Sequence, residues 1–137
     1  GFQELLDSAY EDNVPFDSVN GIFEHFQETL IDMQMTGEDV SISGKELADA
    51  IIEYGDVSEE KQEDLKQAAE TYENQKFSVN NIVPENVSIN AGDVSVKTKL
   101  ENLSTIERRI IDGKDYFLIP ANSSTINDII LANPKLL

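Results

Sequence analysis

Apolar residues in the first half of the chain recur every three or four positions, the spacing that places side chains on one face of an α-helix. The pattern predicts a short first helix over residues 2–10, followed by a break at Pro15, and then a longer second helix. The second helix has the longest apolar stripe in the chain: Val19, Ile22, Phe23, Phe26, Leu30 and Met33. Two further helices are expected before residue 76.

Capping residues mark the ends of these helices. Asp17 or Ser18 is expected to cap the second helix, and Gly37 to end it. Ser43 and Glu46 have the spacing of a capping box, in which the serine oxygen accepts a backbone N–H of the first turn and the glutamate accepts the serine N–H. The third helix is therefore predicted to begin after Ser43.

The fourth helix is predicted to lie on the surface. Gly55 is expected to end the third helix, and Ser58 to cap the fourth. The apolar stripe after Ser58 is narrow: Leu65, Ala68, Ala69 and Tyr72. A helix with so little apolar surface buries only one edge and leaves the rest to solvent.

After residue 76, apolar residues alternate with polar ones over short runs, as is typical of strands. Residues 77–83 predict a strand that ends at Pro84. Residues 87–98 predict a hairpin whose turn lies at residues 91–93. The change of period indicates that strands replace helices in this half.

A second hairpin is predicted over residues 109–119, because Asp112-Gly113 favours a two-residue turn with positive φ at both positions. Residues 100–107 fit both helical spacing and the approach to this hairpin, so their conformation stays open. The chain is expected to close with a helix capped by Ser123 or Ser124. Its inward side chains would be Ile126, Ile129 and Ile130.

Helices followed by strands predict an α+β fold. We expect a single domain over residues 1–137, in which an acidic helical part, 1–76, packs with a strand-rich part, 77–137, made of antiparallel hairpins and a final short helix. The chain starts at Gly1 without a methionine, as a tag remnant, a product of proteolysis or a fragment would.

Charge is distributed unevenly along the sequence. The chain has 27 acidic and 10 basic residues and a formal charge of −17, and residues 1–76 contain 20 of the acids and 4 of the bases. Such a surface repels polyanions and attracts cationic partners. Because phosphate backbones are bound by clustered Lys and Arg, direct nucleic-acid binding is not expected. No apolar run is long enough to cross a bilayer, so membrane insertion is not expected either.

The fourth helix and its end concentrate this charge. Its carboxylates are the predicted partner-binding residues: Glu59, Glu60, Glu63, Asp64, Glu70 and Glu73. They would steer a protein with a basic surface and speed its association at low salt. Charge alone favours the other interpretation, a solvated face that keeps the chain soluble.

His25 is the one histidine, and it lies beside Glu24 and Glu28 on the second helix. His25 and Glu28 share a helix face, as metal ligands in helix bundles do, but a dimetal site needs ligand motifs on further helices. A solvated or flank-packed histidine is therefore expected. The sequence has no cysteine, which excludes thiolate metal sites and cysteine nucleophiles.

Nucleotide binding is excluded by spacing and charge. Six residues separate Gly37 from Gly44-Lys45, whereas a phosphate loop has four residues between its glycines. Glu46 also occupies the position at which the Ser or Thr hydroxyl of such a loop would bind the magnesium ion of the nucleotide. We expect no catalytic residues, no cofactor and no resident metal.

The leading hypothesis is a non-enzymatic protein–protein interaction or assembly domain, such as a piece of a larger surface-associated or virion protein. An edge strand of the near-neutral second half would pair with another chain, including a second copy. The alternative is a small acidic inhibitor or immunity-type protein that covers a basic site or mimics nucleic-acid charge. An enzyme that uses carboxylates alone ranks third.

Overall fold

A computed structural model describes residues 1–36 and 40–136, and the side chains of all of them outside positions 34–36. Gly37, the predicted end of the second helix, lies outside the described residues. The helices are α1 (Phe2–Ala9), α2 (Phe16–Thr36), α3 (Gly44–Tyr54), α4 (Glu59–Glu70) and the short α5 (Val79–Ile82). The strands are β1 (Ser41–Ser43), β2 (Lys76–Ser78), β3 (Asn86–Ala91), β4 (Val94–Lys99), β5 (Glu107–Ile111), β6 (Lys114–Leu118), β7 (Thr125–Ile126) and β8 (Ile129–Ile130). The α+β fold is confirmed.

The chain divides into two compact units, Gly1–Ser104 and Thr105–Leu137. The boundary lies in the last turn of a 3₁₀ helix, Leu100–Thr105, and not at the change of charge after residue 76. The single domain over residues 1–137 stays a prediction, because compact parts do not by themselves measure cooperative folding.

In the unit Gly1–Ser104, α1 to α5 share one hydrophobic core. Its largest fully buried side chains are Leu5, Ile22, Phe26, Leu47, Ile51, Leu65 and Val79. β1 pairs antiparallel with β2, with Ile42 opposite Phe77. Since β1 leads into α3 and β2 into α5, this small sheet holds the starts of the two helices side by side.

Most of the predicted helix ends are confirmed. The Ser43 side chain accepts the Glu46 N–H at 3.1 Å, and the Ser43 N–H donates to the Glu46 carboxylate at 3.3 Å. Gly55 caps the end of α3, and the Ser58 side chain caps α4. On α4 only Leu65 and Ala69 are buried, as the narrow stripe predicts.

The predicted cap of α2 is wrong. α2 begins at Phe16, so Asp17 and Ser18 lie inside its first turn. The carbonyl oxygen of Pro15 accepts the N–H groups of Ser18 and Val19, both at 3.1 Å. Pro15 therefore occupies the N-cap position that Asp17 or Ser18 was expected to fill.

The strand predicted over 77–83 is only partly correct, because β2 ends at Ser78 and α5 follows. Val79 and Ile82 are both buried, and the Val83 N–H donates to the Val79 carbonyl oxygen at 3.0 Å. Residues three apart point to opposite faces of a strand but to one side of a helical turn. The helical turn therefore buries both side chains.

Both predicted hairpins are confirmed. β3 pairs with β4, and β5 pairs with β6 around Asp112 and Gly113, whose φ angles are 51° and 78°. The undecided segment before β5 forms the 3₁₀ helix, which buries Leu100 and Leu103.

The predicted final helix is wrong. β7 and β8 form a third hairpin, with Ile126 opposite Ile129. Asn127 and Asp128 make its turn at φ 49° and 67°, a left-handed conformation that these two residue types adopt more readily than most. Ser123 and Ser124 therefore precede a strand and cap no helix.

Candidate interaction surfaces

The six predicted partner-binding carboxylates are all exposed. Five lie on α4, and Glu73 lies in the turn that follows it. Glu59 and Glu60 occupy the first turn, where the helix dipole favours negative charge. These two residues therefore stabilise α4 itself, whatever else they contact.

Two lysines interrupt this acidic surface. The Lys61 ammonium lies 3.6 Å from the Asp64 carboxylate. Lys66 lies one helical turn from both Glu63 and Glu70 in the sequence of α4. The six carboxylates thus do not form an unbroken anionic face.

Glu70 and Glu73 line a cleft of about 500 Å³ between α3 and α4. Asp49, Lys45 and Lys66 line the same cleft. Two lysines beside three carboxylates leave the cleft with little net charge, and Ala48 and Ala69 add apolar surface to it. The sequence gives no signal for this cleft, because it depends on how two helices pack.

A second cleft, of about 550 Å³, lies between the C-terminal half of α2 and the base of the β3–β4 hairpin. Leu30, Ile31, Val83 and Pro84 form its apolar part, and Lys99 is among its polar residues. Ile31 is 55% exposed there. This cleft too was not predicted from the sequence.

His25 packs against aromatic rings. Its ring stacks on that of Tyr54, with centroids 3.9 Å apart and planes 11° from parallel, and it lies 5.1 Å from the ring of Phe26. The neighbouring Glu24 and Glu28 are exposed. Within residues 1–36 and 40–136, no three His, Cys, Asp or Glu side chains are grouped so that they could hold a metal ion.

Two tyrosine hydroxyls join separate helices of the core. The Tyr10 hydroxyl donates to the Gly55 carbonyl oxygen at 2.6 Å, and burial raises the pKa of Tyr10. The Tyr72 hydroxyl donates to the Glu4 carboxylate, which lowers the pKa of Glu4 and raises that of Tyr72. Both contacts hold α1 in place, so these tyrosines have structural roles.

The unit Thr105–Leu137 exposes most of the large apolar side chains that reach solvent. Among the described residues, three exposed large apolar side chains belong to Gly1–Ser104, whereas nine belong to this shorter unit. We call these nine the C-terminal apolar set: Ile110, Ile111, Tyr116, Ile119, Ile126, Ile129, Ile130, Leu131 and Leu136. Ile110 is 77% and Ile130 82% exposed.

The strands of this unit also have free edges. β5 pairs only with β6, and β7 only with β8, within the part of the chain that the structure describes. Each of these two-stranded sheets therefore has two outer edges along which no further described strand is paired. Such an edge accepts a strand from another chain.

One face of the β5–β6 hairpin is fixed by a charged cross-strand pair. The Arg108 Nε lies 3.0 Å from Oδ1 of Asp115, and its Nη2 lies 2.5 Å from Oδ2. The Arg108 guanidinium also lies 5.5 Å from the centre of the Phe117 ring, directly across the hairpin. The Arg108 guanidinium lowers the pKa of Asp115.

The described helices include none with both the length and the apolar composition that a bilayer span requires. Neither a curated protein nor a solved structure matches the chain significantly. Residues 1–129 match the family described as a domain of unknown function, DUF4317, and the chain belongs to that family.

Proposed function

We propose that this chain is a non-enzymatic protein–protein interaction or assembly domain. The observation that supports the proposal best is the C-terminal apolar set, which lies on paired strands with free edges. Isolated two-stranded hairpins are marginally stable in water and gain stability by packing or pairing with further strands. Exposed apolar groups of this kind favour contact with another protein.

Charge supports the same assignment. The unit Gly1–Ser104 contains 23 acidic and 6 basic residues, so it has the whole formal charge of −17. The unit Thr105–Leu137 contains four of each and is neutral. Interface cores are depleted of net charge and enriched in large apolar residues, which suits the second unit.

Chemical cross-linking in the native source, followed by mass spectrometry, tests the proposal. We expect cross-links from Lys114 and Lys135 to another polypeptide chain. Replacing Ile110 and Ile130 with serine should reduce the linked product about tenfold, because hot-spot side chains supply most of the affinity. Val94→Ser is the matched control, because Val94 is 62% exposed in the other unit and lines neither cleft. The proposal would be overturned if the natural chain, the double serine variant and the control variant gave equal yields of cross-linked product.

The second candidate is an acidic inhibitor or immunity-type protein. The exposed carboxylates of α4 and Glu73 favour it, because a large negative field speeds association with a basic partner. For this function, the association rate with a basic partner should fall at least about tenfold as salt rises toward 0.5 M. Glu63→Gln with Glu70→Gln should slow association, and a rate independent of salt would exclude this function.

A further inference from the structure

We infer that the partner of the Thr105–Leu137 unit is a second copy of this chain, joined by antiparallel pairing of the two β6 strands. The inference rests on the proposed interaction function and names its partner. Three features of the molecule favour a second copy: the distribution of charge, the self-complementarity of β6, and the exposed apolar side chains around that strand.

Charge favours this unit as the contact between copies. Two Gly1–Ser104 units, each at −17, repel one another, and that repulsion extends over about 10 Å at 0.1 M salt. Two neutral Thr105–Leu137 units have no such net repulsion. A second copy therefore approaches most readily through the unit that also exposes the C-terminal apolar set.

β6 is self-complementary. Pairing two β6 strands about a twofold axis at their central residue places Tyr116 opposite its own copy. The same register sets Asp115 opposite Phe117, and Lys114 opposite Leu118. No charge then lies directly opposite a like charge, and the two tyrosine rings form an aromatic cross-strand pair.

β5 lacks this property. The equivalent pairing of two β5 strands places Arg109 opposite its own copy, with two guanidinium groups at the axis. Like charges directly opposite each other destabilise a strand pair. The free edge of β6 is thus the favoured one of the two.

The chain after β6 limits the paired segment. Pro120 follows Ile119, and because proline is confined to the ends and edges of sheets, the paired segment is not expected to extend past it. Tyr116 is 43% and Ile119 46% exposed, so both have surface to lose to a second copy. The dimer then has a four-stranded sheet in which the two β6 strands lie in the centre and the two β5 strands at the edges. A sheet of three or more strands can be stable on its own, so four strands are enough.

Analytical ultracentrifugation of the whole chain tests the inference. We expect a concentration-dependent dimer, and Tyr116→Lys should raise its dissociation constant about tenfold or more by placing two ammonium groups at the axis. Ile111→Lys adds the same charge to the neighbouring strand, away from the axis, and should have a smaller effect. Mixing Tyr116→Lys with Tyr116→Glu should restore dimers, which a merely misfolded hairpin would not do.

A disulfide supplies the second readout. The chain has no cysteine, so Tyr116→Cys introduces a single thiol. Directly opposite residues of an antiparallel pair have Cβ atoms about 4.5–5.5 Å apart, close enough for a disulfide after a small shift. Under mild oxidation Tyr116→Cys should form a covalent dimer, and Ile111→Cys should form much less.

The outcomes separate this inference from the proposed function. A chain that sediments as a monomer at every concentration overturns the β6 dimer. If that monomer still forms cross-links to a different protein through the second unit, the interaction function stands and the choice of partner is wrong. If it instead binds phosphatidylcholine vesicles, with loss of binding in Ile130→Ser, the surface belongs to a lipid and the dimer is likewise overturned.

Discussion

The hydroxyl of Tyr10, the residue that follows α1, donates a hydrogen bond of 2.6 Å to the carbonyl oxygen of Gly55, the residue that follows α3. Gly55 also donates its N–H to the Ile51 carbonyl oxygen at 2.8 Å. A Cβ at position 55 would meet the Tyr10 hydroxyl and would lie 2.5 Å from the Ile51 oxygen. Glycine therefore both ends α3 and leaves room for the tyrosine.

Tyr10→Phe should lower the free energy of unfolding by about 1 kcal/mol, because it removes the hydrogen bond to Gly55 and keeps the ring. Tyr54→Phe is the matched control, since its ring stacks on His25 and should continue to do so. Urea denaturation at pH 7 measures both values. Equal stability of the two variants would show that the bond to Gly55 contributes nothing.

Tyr10 also gives the protein an alkaline limit. Burial raises the pKa of Tyr10 above its ordinary value near 10, so the folded chain retains a proton that the unfolded chain releases. The contribution of Tyr10 to the free energy of unfolding is therefore fully present below the ordinary pKa near 10. It is lost as pH rises through the raised pKa of the folded chain. Denaturation midpoints between pH 9 and 11 should fall more steeply for the natural chain than for Tyr10→Phe. If the midpoints of the natural chain and of Tyr10→Phe fall equally with pH, Tyr10 does not have this role. Tyr72→Phe, measured in the same way, gives the part of the pH dependence that comes from the raised pKa of Tyr72.

Gly21→Ala should destabilise the fold although alanine is the better helix former. A Cβ at position 21 would lie 2.5 Å from the backbone oxygen of Tyr54, where α2 crosses the end of α3. Overpacking of this kind costs about 1–3 kcal/mol, more than the roughly 1 kcal/mol gained in helix propensity. Thermal unfolding should show a lower Tm for Gly21→Ala. The exposed Asp32→Ala on the same helix should stay within about 0.5 kcal/mol of the natural chain.

Ser43→Ala should lower the free energy of unfolding by about 0.5–2 kcal/mol, because it removes the cap from the Glu46 N–H. Ser41→Ala, at an exposed position of the adjoining strand, serves as control and should change little. Amide hydrogen exchange should also become faster in the first turn of α3 alone. Faster exchange throughout the unit Gly1–Ser104 would mean that the capping box of Ser43 and Glu46 stabilises more than this end of α3.

Local signals in the sequence account for much of the fold. The capping box at Ser43 and the Asp112-Gly113 turn were predicted because each depends on residues within a few positions of one another. Residues 126–130 were misassigned because isoleucines spaced three and four apart fit a helix face, while a two-residue turn also places Ile126 opposite Ile129. The left-handed conformation of Asn127 and Asp128 decides between these alternatives.

The candidate sites were harder to predict. The six carboxylates were found as a run of charge, but their division by Lys61 and Lys66 and the cleft at Glu70 depend on side-chain placement and on how α3 meets α4. The exposure of Ile110 and Ile130 follows from hairpins that pair with no third strand within the described residues. An alternating pattern alone cannot say how many strands a sheet contains.

Arg108 should control the titration of Asp115 on the exposed face of the β5–β6 hairpin. The guanidinium holds the pKa of Asp115 below its ordinary value. The ion pair therefore stabilises the folded hairpin fully at pH values above the ordinary pKa of an aspartate, and this stabilisation is lost as pH falls through the lowered pKa. Carboxyl NMR from pH 2 to 6 should therefore show the Asp115 midpoint rising in Arg108→Gln. Arg109→Gln removes the same charge from the opposite face of β5 and should leave that midpoint in place. Because both side chains are exposed, 0.5 M salt should bring the natural chain toward the Arg108→Gln curve, and a midpoint insensitive to Arg108 would show that the pair does not persist in solution.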